Sequence, residues 1–121
     1  MIDHTGLTVR SCDASKQFYP ATLEPLGYGL VVDQSDAVAF GPPEMPLFWL
    51  YSGAQPHSGV HIALTAPDRT SIDRFYAAGL AAGGRDNGAP GLRPDYHEHY
   101  YGAFIIDPDG NNLEAVCHAP V

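Results

Sequence analysis

At two places in the chain apolar residues alternate with small or polar ones, and each alternation gives way to a helical spacing. Val60, Ile62 and Leu64 alternate with His61, Ala63 and Thr65, and earlier Thr5, Leu7 and Val9 alternate with His4, Gly6 and Thr8. A period of two predicts a strand with one apolar face and one small, polar face, and in both copies the polar face carries a histidine. Downstream, Ile72, Phe75, Tyr76 and Leu80, and likewise Phe18, Tyr19, Leu23 and Leu26, recur at the spacing of one helix face. The apolar side of each strand is expected to pack under its helix, which turns the histidine side toward a cavity.

Taken in order, a first strand from about 2 to 10 leads to a helix capped by Asp13 and ended by Gly27, with Pro20 and Pro25 predicting a kink or early fraying. Two short strands follow at 29–33 and 37–40. GPPEMP is a loop, LFWLY at 47–51 is a strand, and 52–58 is a linker. The second half reads as a strand at 60–65, a helix at 68–82, a glycine- and proline-rich stretch at 83–102 in which any strand is hard to place, and strands at 100–106 and 112–117 joined by a turn. The order strand, helix, three strands thus occurs twice. Sliding residues 61–84 back by 57 positions onto 4–27 aligns His61 with His4, Phe75 with Phe18, Tyr76 with Tyr19 and Gly84 with Gly27, among 8 identities in 24 ungapped positions. Composition alone gives roughly two, so the chain reads as an internal duplication of units at about 1–52 and 59–121 within one α+β domain.

Charge narrows the partners. Six basic against 14 acidic residues leave a net charge of −8, which argues against nucleic acid or an anionic membrane and favours a neutral or cationic small molecule. No apolar run approaches the roughly 20 residues that span a bilayer, and MIDHTGL lacks the regions of a signal peptide, so a cytoplasmic protein is expected. Cys12 and Cys117 match no disulfide framework or zinc spacing and are expected to be reduced and structural.

A duplicated βαβββ unit, a first-strand histidine in each copy, FY-x-x-x-L in each helix and a closing DPDGNNLEAV resemble the vicinal oxygen chelate superfamily, which includes glyoxalase I, extradiol dioxygenases and bleomycin-resistance proteins. The resemblance covers nearly the whole chain. It implies two tandem βαβββ units whose mixed sheets curl around a cleft, with ligands from the first and last strands of both, and a homodimer. Carried over by position, it implies metal ligands at His4, His61 and Glu114, with a fourth position in LFWLY that falls on Trp49, or on Phe48 if the register slips by one. Neither side chain binds a metal, which departs from the four-ligand pattern of glyoxalase I and sets expectation against that activity.

Two imidazoles and a carboxylate would form a facial triad suited to Fe, Mn, Ni or Zn, able to polarise vicinal oxygens of a chelating substrate. The opposing reading makes the histidines remnants satisfied by hydrogen bonds. DYHEHYY at 95–101 has the titratable density of a catalytic rim, with His99 and Tyr101 as acid or base candidates and His97 beside them, or it is a solvated loop. Arg93 could bind a substrate carboxylate or sit on the surface. Trp49 and Phe48 could stack on an apolar ligand or fill the core. Two functions follow: a metal-dependent lyase, isomerase or oxygenase, or a metal-free protein that binds a small molecule or antibiotic.

Overall fold

A computed structural model covers residues 1–121. Its strands and helices are β1 (Thr5–Val9), α1 (Cys12–Leu23), β2 (Gly29–Asp33), β3 (Ala37–Gly41), β4 (Phe48–Ser52), β5 (His61–Thr65), α2 (Arg69–Ala81), β6 (Arg85–Leu92), β7 (Tyr101–Ile106) and β8 (Asn112–Cys117). The two halves repeat one topology in two four-stranded mixed sheets, ordered β1-β4-β3-β2 and β5-β8-β7-β6, and no barrel closes. In each half the first strand lies parallel to the last, a pairing that a tight turn cannot make and that the intervening helix and strands supply. No helix is long and apolar enough to cross a membrane.

Register carries the duplication into space. Gly6 lies opposite Trp49, and Ala63 lies opposite Glu114. Since Gly6 and Ala63 are 57 positions apart, Trp49 stands in the first sheet where Glu114 stands in the second.

The apolar face of each sheet meets the helices in a shared core. Leu7, Val9, Phe40 and Leu50 come from the first sheet and Leu64, Ile105 and Leu113 from the second, around Phe18, Leu23, Ile72 and Phe75. Phe75 and Ile72 are fully buried, each contributing about 1.5–3 kcal/mol through removal of apolar surface from water. The period-two faces therefore sort as expected: Leu64 inward, with His61, Ala63 and Thr65 exposed.

Helix boundaries differ from the sequence reading for local reasons. Ser11, not Asp13, caps α1, its side chain accepting from the Ala14 N–H, and Asp13 falls in the first turn. The helix stops at Leu23 because Pro25 cannot donate to a further α-turn, and the chain tightens into a 3₁₀ turn at Glu24–Leu26 before Gly27 turns left-handed at φ 84°. Pro20 is accommodated inside the helix. The unplaced strand is β6, an edge strand broken by register shifts around Gly88. Its Gly and Pro residues erase the alternation that would reveal it.

One polar network ties the halves together. The buried Tyr19 hydroxyl of α1 donates to Asp107 Oδ2 at 2.5 Å, and Asp107 Oδ1 accepts the Asp109 and Asn111 N–H groups at 2.9 and 2.8 Å. Asn111 in turn accepts from the Val60 N–H and donates to the His57 carbonyl. The turn before β8 is thereby held to helix α1 and to the segment leading into β5, the two strands that carry Glu114 and His61.

Candidate functional site

The site is built on the face of the second sheet turned away from the helices. His61 from β5 and Glu114 from β8 meet there, with Nε2 to Oε1 at 2.7 Å. The carboxylate is almost fully buried at 1 % side-chain exposure, whereas the imidazole is 54 % exposed. An ionised carboxylate only accepts, so His61 Nε2 carries the proton, and Nδ1, which makes no hydrogen bond within the chain, keeps its lone pair. The second oxygen, Oε2, accepts from the Tyr100 hydroxyl. Burial raises the Tyr100 pKa well above its ordinary value, and the hydrogen bond and charge of Glu114 raise it further, so the phenol remains a proton donor. A buried carboxylate is therefore compensated from both sides, by an imidazole and by a phenol.

Tyr100 escaped the sequence reading, although alternation could have found it. Counting back from Phe104, which lies opposite Glu114, Gly102 and Tyr100 fall on the same face. Tyr101 falls on the other: its hydroxyl donates to Asp73 of α2 at 2.6 Å and Arg69 lies 5.1 Å above its ring, so it faces the helix and not the site. His99 and His97 sit in the exposed turn before β7, His99 3.9 Å from Glu98 and the His97 ring 5.5 Å from that of His118. His118 also packs edge-on against Tyr100, at 5.2 Å. This histidine turn flanks Tyr100 without reaching the His61–Glu114 pair through any hydrogen bond.

The remaining candidates divide. His4 is not brought to His61 and Glu114; it is exposed and bonds Asp3 at 2.7 Å. Its place just before β1 puts it at the rim of the first sheet. Phe48 is fully buried against Tyr19, ring centroids 5.5 Å apart, so it packs the core and offers no surface to the outer face. Trp49 is half-buried on the outer face and stacks on Tyr51 at 6.0 Å and 7°. Arg93 is half-buried, its guanidinium held by the carbonyls of Ala89, Gly91 and Leu92 and laid over Phe104 at 5.3 Å.

Two hollows lie near this face, and His61 lines the first. One of about 340 Å³, mostly apolar, opens toward Ile2, Thr5 and Leu47. The other, about 290 Å³ and mostly polar, lies past Phe104 and is lined by Asn87, Arg93, Tyr96 and Asn112. Tested against a metal ion, the donor set of one chain falls short: no group of three His, Cys, Asp or Glu side chains converges, and both oxygens of Glu114 are already engaged.

The sequence matches the family model "Glyoxalase/Bleomycin resistance protein/Dioxygenase superfamily" over residues 1–115. The chain belongs to this superfamily. Among solved structures, a glyoxalase/bleomycin resistance protein from Albidiferax ferrireducens T118 is 30% identical, with 96% of this chain and 98% of that one covered at a TM-score of 0.85. The bleomycin resistance determinant of transposon Tn5, at 21% identity, 92% coverage of both chains and a TM-score of 0.63, shares the fold. So does a lactoylglutathione lyase from Agrobacterium tumefaciens, at 20% identity, coverage of 96% and 92%, and a TM-score of 0.67. No curated protein sequence matches the chain. Superfamily folds host both catalysis and simple binding, so the function has to be argued from the site.

Proposed function

We propose that the protein binds a small molecule against the outer face of the second sheet and moves a proton on it through His61, as in lyase or isomerase chemistry. The carrying observation is the His61–Glu114 contact at 2.7 Å, with Glu114 buried and His61 half-open. Glu114 holds the ring so that Nδ1 is the free base and stabilises the imidazolium formed when that nitrogen accepts a proton. Tyr100 holds the carboxylate in place by donating to its second oxygen, and its own proton stays on oxygen. The substrate proton goes to Nδ1 and can return from it to a neighbouring atom, which closes an isomerisation without a further reactant.

A second reading is a divalent metal centre shared between two copies of the chain. His4 favours it, because it is exposed, carries no partner beyond Asp3 and matches His61 in the duplication. In a homodimer, His4 of one copy could join His61 and Glu114 of the other to hold Fe, Mn, Ni or Zn, which would polarise substrate oxygens. Binding without turnover is the third outcome.

The deciding experiment incubates tag-free protein with a panel of small carbonyl compounds in D₂O and follows deuterium entry next to the carbonyl by NMR. Metal-independent exchange that His61→Gln lowers roughly 10²- to 10⁴-fold supports the proton-transfer reading. Exchange that appears only with added metal, in a protein of dimeric mass, supports the second. No exchange from any compound, with or without metal, leaves a binding protein and refutes both.

A further inference from the structure

The polar hollow beside Phe104 contains a cation with no anion. Arg93, like Arg69 and Arg85, forms no salt bridge, whereas Arg10, Lys16 and Arg74 each face a carboxylate. Its guanidinium is fixed all the same. Nη1 donates to Gly91 and Leu92 carbonyls at 2.9 and 3.5 Å, and Nη2 donates to Ala89 at 2.8 Å. Of the five N–H donors of an arginine, these bonds leave Nε–H and one Nη2–H without an acceptor. Nε and Nη2 share the edge of the planar group that takes both oxygens of a carboxylate.

The surroundings prepare that edge for a ligand. Phe104 lies 5.3 Å beneath the guanidinium carbon and shields one face from water. Gly88, at φ 149°, lets the strand pass close by: a Cβ there would come within 2.9 Å of Phe104 and 3.3 Å of Arg93 Nη2. The Arg93 N–H donates to the Tyr100 carbonyl at 2.7 Å, so the loop from 93 to 100 closes on itself and places Arg93 and Tyr100 side by side. Asn87 and Asn112 form the opposite wall, linked amide to amide at 3.2 Å. Asn112 is the backbone partner of His61, and the His61 ring stands 6.3 Å from that of Phe104.

We infer that Arg93, with Asn87 and Asn112, is the receptor for a carboxylate on the small molecule handled at His61, so that the substrate class is a compact carboxylic acid. This rests on the small-molecule reading above and adds its specificity. A hollow of about 290 Å³ suits a molecule of amino-acid size. The anion binds at Arg93, its body crosses Phe104 and its other end lies at His61 Nδ1. The net charge of −8 works against long-range attraction of anions, so recognition comes from contact and not from steering.

The test titrates ¹⁵N-labelled wild-type protein separately with acetate, benzoate and succinate, with benzamide as the neutral match and inorganic phosphate as the competing oxyanion. We expect at least one carboxylate to shift the Arg93 Nε–H and Phe104 ring signals saturably, benzamide to leave them in place, and Arg93→Gln to weaken binding roughly 10- to 100-fold. Arg93→Lys, which keeps the charge and loses the paired edge, should fall between. Absence of any shift at Arg93 with all three carboxylates, equal binding of benzamide, or tighter binding of phosphate overturns the assignment. Because the titration reads wild-type Arg93 directly, it does not depend on a variant folding. A shift at Arg93 without deuterium exchange keeps the carboxylate receptor and retires proton transfer; exchange without a shift does the reverse.

Discussion

Removing one buried hydroxyl, with Tyr19→Phe, should uncouple the two halves of the molecule measurably. Tyr19 is 1 % exposed and Asp107 4 %, so the bond between them is out of water. Without the phenol, Asp107 Oδ2 retains only the Asn111 side-chain amide at 3.4 Å, a marginal contact. A hydrogen bond to a charged group contributes about 1.5–3 kcal/mol. For 121 residues the unfolding entropy is about 0.25 kcal/mol per degree, which converts that loss into a fall in Tm of roughly 6–12 °C. The pH dependence supplies an independent check. Burial first, and then the Asp107 charge, raise the Tyr19 pKa well above its ordinary value of 10.0. The folded state therefore holds this proton after the unfolded chain has released it. Its contribution is complete below pH 10 and declines above it, by up to about 1.4 kcal/mol per pH unit, as pH rises toward the folded-state value. Urea unfolding at pH 7 and at pH 10.5–11 should then show a wild-type advantage that narrows with alkalinity, since the phenylalanine variant lacks this titration. A loss below about 0.5 kcal/mol at pH 7, or parallel pH profiles for the two proteins, would refute the claim that this network couples the halves.

Other outcomes follow from the site. Glu114→Gln should reduce any His61-dependent deuterium exchange at least about tenfold while leaving the fold intact by circular dichroism, because it removes the charge that stabilises the imidazolium. Gly88→Ala should lower stability by about 1–3 kcal/mol in thermal melts and weaken carboxylate binding as well, because a Cβ at φ 149° is strained and crowds Phe104 and Arg93. Trp49→Glu should set a carboxylate opposite Gly6, as Glu114 is set opposite Ala63, and so raise Ni(II) or Zn(II) uptake at the His4 end, measured by calorimetry. Methylglyoxal–glutathione hemithioacetal should not be isomerised even with Ni(II) or Zn(II) present, since an indole stands where a fourth ligand would; robust turnover in that assay would count against this use of the register.

The duplicated topology was legible in the sequence because strand and helix periods are local, and so was the family to which the chain belongs. A period of two in VHIALT and of 3.6 in FYAAGLA needs no knowledge of neighbours, and the offset of 57 residues turns one unit's pattern into a check on the other's. The outward facing of His61 was legible for the same reason. Tertiary structure decided which polar side chains meet. Tyr100 and Tyr101 are adjacent and chemically identical, yet one holds Glu114 and the other Asp73, because alternation sends consecutive residues to opposite faces and only the β7–β8 register says which face has the carboxylate. His4 and His61 match in sequence and part company in space, since a shared position in a repeat guarantees the same surroundings only where the rest of the repeat matches, and Trp49 stands where the second half has a carboxylate. Strand β6 and the placement of Arg93 were hidden because glycine and proline carry no periodicity, and a guanidinium folded back onto three carbonyls of the preceding strand is a product of backbone path, which no spacing of side chains records.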